Sequence, residues 1–167
     1  MNMDAYECLM TRRTIRRFDD RRVSDDEIKK LIAAAVQAPC GGNNQLWRFA
    51  VLRDESVDHL QKETGVDYYG ARCVVAVFIE HIPSIYNRNR WTPVENPDYG
   101  TGFAGVQNLV LAAHAIGLGT CWCKPFPPLL AERIIGGMFE LGEEHVLLAN
   151  IAIGRYDKAP EGPARWP

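Results

Sequence analysis

Apolar positions along this chain change their spacing from segment to segment, and the changes mark out its elements. Ile28, Leu31, Ile32, Ala35 and Val36 recur at the three- and four-residue spacing of one helix face, with Lys29, Lys30 and Gln37 on the other. Ser24 stands at the N-cap, Glu27 completes a capping box, Val23 and Ile28 are placed as a hydrophobic staple, and Pro39 is the predicted stop. An earlier helix is predicted over 4–12, with Asp4 as its cap and Glu7 in the reciprocal position. WRFAVLRD (47–54) reads as a strand with Phe49 and Val51 on one side, followed by a short helix near 56–64. CVVAVFIE (73–80) is a continuous apolar run rich in β-branched residues, the pattern of a strand covered on both faces.

Residues 81–98, rich in Pro, Asn and Arg, read as an irregular excursion. A long apolar helix is predicted over about 100–116, ending at Gly117-Leu118-Gly119, with a brief strand at 120–123. Pro127 and Pro128 fit the start of a helix through Met138, and HVLLANIAIG (145–154) is the last strand. The tail RYDKAPEGPARWP holds too little apolar content to fold alone. Helices and strands interleave, so the class is α+β or α/β, with a sheet between helical layers.

Composition narrows this picture. At 167 residues the chain is the size of one domain, and 47% hydrophobic with 24% charged residues is the profile of a globular protein. Nineteen Lys and Arg against twenty-one Asp and Glu give −2, which argues against a dedicated nucleic-acid or membrane-surface binder. The distribution says more than the sum. Arg12, Arg13, Arg16, Arg17, Arg21 and Arg22 face only Asp19 and Asp20 across 12–22, a local +4 that leaves −6 for the remainder and calls for an anion near the N-terminus.

Five cysteines, an odd number at irregular spacing with no charged-then-apolar leader before them, read as a reduced, cytoplasmic protein. The uncharged stretch Tyr99 to Cys123 is long enough to span a bilayer, but its glycines, Gln107, Asn108 and His114 favour a helix buried on all sides. Cys121 and Cys123 flank Trp122 as C-x-C, with no second ligand pair at zinc spacing. His114 on the apolar helix reads as a core or interface histidine.

Two segments carry candidate chemistry. RRTIRRF (12–18) offers guanidinium forks and a threonine hydroxyl, donors suited to a phosphate; a solvated basic turn fits the same composition. PCGGNNQLW (39–47) pairs glycines that admit close backbone approach with Asn43, Asn44 and Gln45, which match the edges of a heterocycle; a cap loop fits equally. Tyr68, Tyr69, Tyr86 and Trp91 are candidates for a substrate wall or for ordinary surface and interface aromatics.

In order along the chain, RRTIRRF, APCGGNNQLWRF, QNLVLAAHAIGLGTCW and IAIGRYDKAPEGPAR resemble the motifs of the nitroreductase family of flavoproteins, and the resemblance covers essentially the whole length. It implies an α+β, three-layer fold with a mostly antiparallel sheet, the single domain 1–167, and a homodimer whose C-terminal tails are exchanged. It also implies FMN at the subunit interface and NADH or NADPH as a transient donor. By position in the motifs, Arg12 and Arg16 hold the flavin phosphate and pyrimidine edge, with Arg13 and Thr14 beside the phosphate and ribityl chain. Pro39, Cys40, Gly41, Asn43 and Gln45 of the partner subunit lie along the ring, Thr120, Cys121, Trp122 and Cys123 follow the turn that meets its reactive nitrogen, and Arg165 returns to the phosphate.

Cys40 stands where the family has serine, Leu46 where it has proline, and Lys124-Pro125 where it commonly has glycines. The activity implied is hydride transfer from NAD(P)H through the flavin to a nitroaromatic or quinone. Flavin fragmentation and reductive dehalogenation are alternatives on the same fold, and an Arg-rich anion- or nucleic-acid-binding protein is the alternative outside enzymes.

Overall fold

The apolar run Cys73–Glu80 forms the strand around which the other elements are arranged. In the structure, a computed structural model describing residues 3–80, 97–123 and 128–164, the helices are α1 (Ala5–Thr11), α2 (Asp25–Ala35), α3 (Glu55–Thr64), α4 (Pro97–Ala115) and α5 (Pro128–Phe139). The strands are β1 (Trp47–Arg53), β2 (Cys73–Glu80), β3 (Gly119–Cys123) and β4 (His145–Gly154), ordered β1-β2-β4-β3 with every pair antiparallel.

Side chains alternate across a strand, so β2 supplies two cores at once. Val74, Ala76 and Phe78 pack with Val57, Leu60, Ala131 and Ile135 of α3 and α5. Val75 and Val77 pack with Leu31, Ala35, Leu109, Val110 and Ala113 of α2 and α4. This three-layer α+β arrangement explains why β2 has no polar face.

The capping box at α2 is complete: the Ser24 N–H donates to Glu27 Oε2 at 2.9 Å and the Glu27 N–H donates to Ser24 Oγ at 3.2 Å. Val23 and Ile28 are buried in one cluster, as the staple requires. Arg155, from just beyond β4, donates to Glu27 Oε1 at 2.6 Å. Burial works against the Glu27 carboxylate, but Ser24 and Arg155 outweigh it and hold the carboxyl below its ordinary value. Ser24→Ala is expected to lower stability by about 1 kcal/mol, read as a lower urea midpoint with an unchanged slope.

Three expectations need correction. Helix α2 ends at Ala35, before Pro39, because the chain tightens there into three-residue bonds from Gln37 N to Ala34 O and from Ala38 N to Ala35 O. Helix α4 begins at Pro97, earlier than about 100; residues 81–96 of the expected excursion lie outside those described. Nor is α4 buried on all sides within one chain. Val106, Leu109, Val110 and Ala113 face the core, whereas Phe103 is 43% exposed, because α1, α2 and the sheet cover only part of the helix surface within one chain. Among the described residues no helix is long and apolar enough to cross a membrane.

Candidate functional site

Strand β3 pairs with β4 on one side only, and the arginine-rich segment lies along its other edge. Thr14 forms a parallel bridge with Thr120, in which the Ile15 N–H donates to the Thr120 carbonyl at 2.9 Å. Ile15 and Phe18 are buried, 3% and 9% exposed, and anchor the segment, while Arg16 and Arg17 between them are exposed. Two glycines make room for those anchors. A Cβ at Gly119 would lie 2.7 Å from both Ile15 Cγ1 and Tyr156 Cδ1, and one at Gly154 would lie 2.7 Å from Phe18.

The six arginines divide by partner. Arg21 reaches Asp19 and Asp157 at 2.5 and 3.2 Å, and Arg22 stands 4.0 Å from Asp54. Among the described residues no carboxylate pairs with Arg12, Arg13, Arg16 or Arg17, so the positive charge foreseen in the sequence is concentrated on 12–17. Arg12 ends α1, its N–H donating to the Cys8 carbonyl, and Arg13 lies under the tail at Gly162.

Beside this segment is a cleft of about 520 Å³ walled by Thr14, Ile15, Arg16, Arg17 and the tail residues Lys158 to Glu161. Its lining holds three cations against one carboxylate, Glu161, and a threonine hydroxyl among them. That donor set suits a phosphate dianion, which needs several fixed hydrogen-bond donors and a net positive wall.

The loop Pro39–Gln45 stands apart from this cleft within one chain. It contains a 3₁₀ turn at Gly41–Asn43, and Cys40 packs on the Leu46, Trp47 and Ile79 cluster. Asn43 and Gln45 both take positive φ, 55° and 51°, unusual for residues with side chains and of the kind found where a loop is shaped for a ligand. Gln45 Nε2 donates to Asn43 Oδ1 at 3.3 Å.

On β3, Thr120, Cys121 and Cys123 are buried, whereas Trp122 is 41% exposed with its ring centroid 5.9 Å from that of Phe103 on α4. Arg165, Tyr86, Trp91 and Lys124-Pro125 lie outside the described residues. Tyr68 is no substrate wall: it is fully buried, and its hydroxyl accepts from Asn150 Nδ2 at 2.9 Å. His114 is half-buried, its Nε2 2.9 Å from Thr11 Oγ1, and burial with the Arg12 charge holds its imidazole below the ordinary value. Sequence reasoning missed Lys158 to Glu161 as part of the wall. Their only signal was a lysine and a glutamate in a proline-rich tail.

The nitroreductase family model matches residues 9–73 and 67–155, which takes in the arginine segment, the glycine loop and β3. The chain belongs to the nitroreductase family. With membership of that family the protein is an oxidoreductase. A relative from Archaeoglobus fulgidus, provisionally named NADH dehydrogenase/NAD(P)H nitroreductase, is 30% identical over 90% of this chain and 84% of its own. A provisionally named nitroreductase from Desulfovibrio desulfuricans, solved in complex with FMN, superposes with a TM-score of 0.76 at 29% identity, covering 96% of this chain and 90% of that one. A BluB-like flavoprotein from Clostridium difficile shares the fold at a TM-score of 0.81 and 24% identity, over 99% of this chain and 95% of that one. The nitroreductase fold of this chain is therefore shared across relatives of different names.

Proposed function

We propose that this nitroreductase-family protein binds FMN and passes a hydride equivalent from NADH or NADPH to a nitroaromatic or quinone-type acceptor, donor and acceptor entering the same pocket in turn. The observation that carries the reading is the set of arginines at 12–17 with no carboxylate partner among the described residues, fixed on the edge of β3 beside a cationic cleft. FMN, when bound, supplies the redox chemistry. Arg12, Arg13 and Thr14 bind and orient the phosphate end, and Arg16 places a fixed positive charge where reduction builds negative charge. By its position in the family motif, Arg165 is a further phosphate-binding residue in this reading. Thr120 to Cys123 form the strand beside the ring.

The unusual φ values of Asn43 and Gln45, in a loop remote from the cleft of its own chain, support a homodimer in which Pro39, Cys40, Gly41, Asn43 and Gln45 complete the partner's pocket. The half-exposed Phe103 and Trp122 support burial of that face against a second copy.

Titrating the apoprotein with FMN should quench flavin fluorescence at a stoichiometry of one per chain, and anaerobic NADH or NADPH should then bleach the flavin absorbance. Adding a quinone or nitroaromatic should restore it, with parallel double-reciprocal plots for the two substrates. A protein that neither binds FMN nor is stabilised by it would sink this reading. Binding of an oligonucleotide that falls steeply with salt and ignores FMN would favour an anion-binding protein instead.

A further inference from the structure

A second cavity, of about 340 Å³, opens between the end of α5 and the start of β4. It shares no lining residue with the arginine cleft. The close of the helix builds it. Glu140 takes a φ of 55°, and the Leu141 N–H donates to the Gly136 carbonyl at 2.9 Å, the six-to-one bond of a Schellman cap. The His145 N–H then donates to the Gly142 carbonyl at 3.1 Å, so the turn that carries Leu141, Glu143 and His145 forms one wall and α5 the other.

Phe78, fully buried on β2, is the floor, and Leu129 and Leu141 add apolar surface. The same lining carries opposite charges that do not cancel one another. Arg133 and Glu132 come from α5 and Glu143 from the turn, yet among the described residues no carboxylate pairs with Arg133. Glu132 is fixed in place: its Oε2 accepts the Leu147 N–H at 2.7 Å, where the β2–β4 register shifts between Val77 and Phe78. Its second carboxylate oxygen is left for a ligand.

Two further residues mark the cavity as more than a gap in packing. The His145 side chain is 10% exposed, and its buried Nδ1 makes no hydrogen bond even though Glu144 Oε1 is 3.1 Å away. Buried polar atoms without partners are exceptions in native proteins, and this one belongs to a residue of the cavity wall. Gly137 lines the cavity from the last turn of α5, where glycine is a poorer helix residue than alanine. A Cβ there meets nothing within 4 Å and the φ is not positive, so neither crowding nor backbone conformation demands glycine. The missing side chain leaves room beside Arg133, four residues earlier on the same helix face.

We propose that this cavity binds a small zwitterion with an apolar side chain, an apolar α-amino acid: Arg133 takes the carboxylate, Glu132 and Glu143 take the ammonium, and Phe78, Leu129 and Leu141 hold the side chain. The site goes beyond the flavin reading and does not depend on it. A lone anion would stand beside two carboxylates and a lone cation beside Arg133, so a molecule carrying both charges is the better match. A guanidinium meets a carboxylate through two parallel hydrogen bonds, and an ammonium brings three donors to the two glutamates. The volume is at the lower end of the range for small-molecule sites, as a ligand of this size requires.

The test is isothermal titration calorimetry on the full chain at neutral pH with FMN added, using L-leucine, L-leucinamide and 4-methylpentanoate as probes. The amide lacks the carboxylate, and the acid lacks the ammonium. Leucine should bind about tenfold more tightly than either, the loss expected for one hydrogen bond to a charged group. Arg133→Gln should weaken leucine about tenfold and leave leucinamide unchanged. Glu143→Gln should weaken leucine and leucinamide together and leave 4-methylpentanoate unchanged. Arg133 and Glu143 are exposed, so both variants should keep the wild-type urea midpoint. Absence of leucine binding at millimolar concentration overturns the proposal. So does an analogue that binds as tightly as leucine, or wild-type leucine affinity in Arg133→Gln. A chain that selects leucine over both analogues but binds no FMN supports this site and sinks the flavin reading alone.

Discussion

Gly119→Val is expected to abolish FMN binding and to cost at least about 1–3 kcal/mol of stability, the usual penalty for forcing extra carbon atoms into a packed site. A Cβ here meets Ile15 Cγ1 and Tyr156 Cδ1 at 2.7 Å, and neither is the free end of a long exposed side chain. Ile15 is the anchor that sets the arginine segment on the edge of β3, so displacing it breaks the Ile15 N to Thr120 O bond and moves Arg16 off the cleft wall. The measurements are the urea midpoint and the flavin fluorescence titration. Gly137→Ala, at a helical position where a Cβ meets nothing within 4 Å, is the control, and it should leave FMN affinity unchanged. Retention of wild-type FMN affinity in a folded Gly119→Val protein would show that the docking of residues 12–18 does not build the site.

A comparable loss of stability is expected from Tyr68→Phe. Tyr68 and Asn150 are both fully buried, and their hydrogen bond of 2.9 Å links two residues 82 positions apart. The Asn150 Oδ1 has no partner among the described residues, so the Tyr68 hydroxyl is the one neighbour its side chain bonds. Removing that hydroxyl leaves the whole amide buried and unpaired, at a cost of about 1–3 kcal/mol. Asn150→Leu should destabilise for the converse reason, by stranding the hydroxyl. Combining the two removes both polar groups, and the double variant should recover most of the loss. The check is a double-mutant cycle from urea unfolding; strictly additive losses would mean that the bond does not couple these residues.

These two predictions rest on features the sequence displayed unequally. The apolar run 73–80 and the capping box at Ser24 and Glu27 were legible because each depends on neighbours within a few positions, where periodicity and hydrogen-bonding side chains act. The end of α2 was misjudged because Pro39 is the louder local signal, while the chain turns earlier through bonds among residues 34–38. Tyr68 was open to a substrate role because a tyrosine in a polar loop carries no mark of burial; Asn150 supplies the partner that makes burial affordable. For the candidate site, residues 12–16 were legible as a donor set. The tail at 158–161 was not, because only the folded chain brings it over them.

By itself, then, the amino-acid order determined the kinds of element, nearly all their positions and, through four motifs in register, the nitroreductase family. Those features arise from local periodicity and capping, or from residue types at short spacing. Tertiary structure decided that β4 lies between β2 and β3, that β3 is left with an edge for the arginine segment, and which arginines pair with carboxylates. Each of these joins residues far apart in the chain, as Thr14 and Thr120 are. Such contacts are selected by which surfaces can be buried together with their polar groups satisfied, and no window of neighbouring residues contains that information.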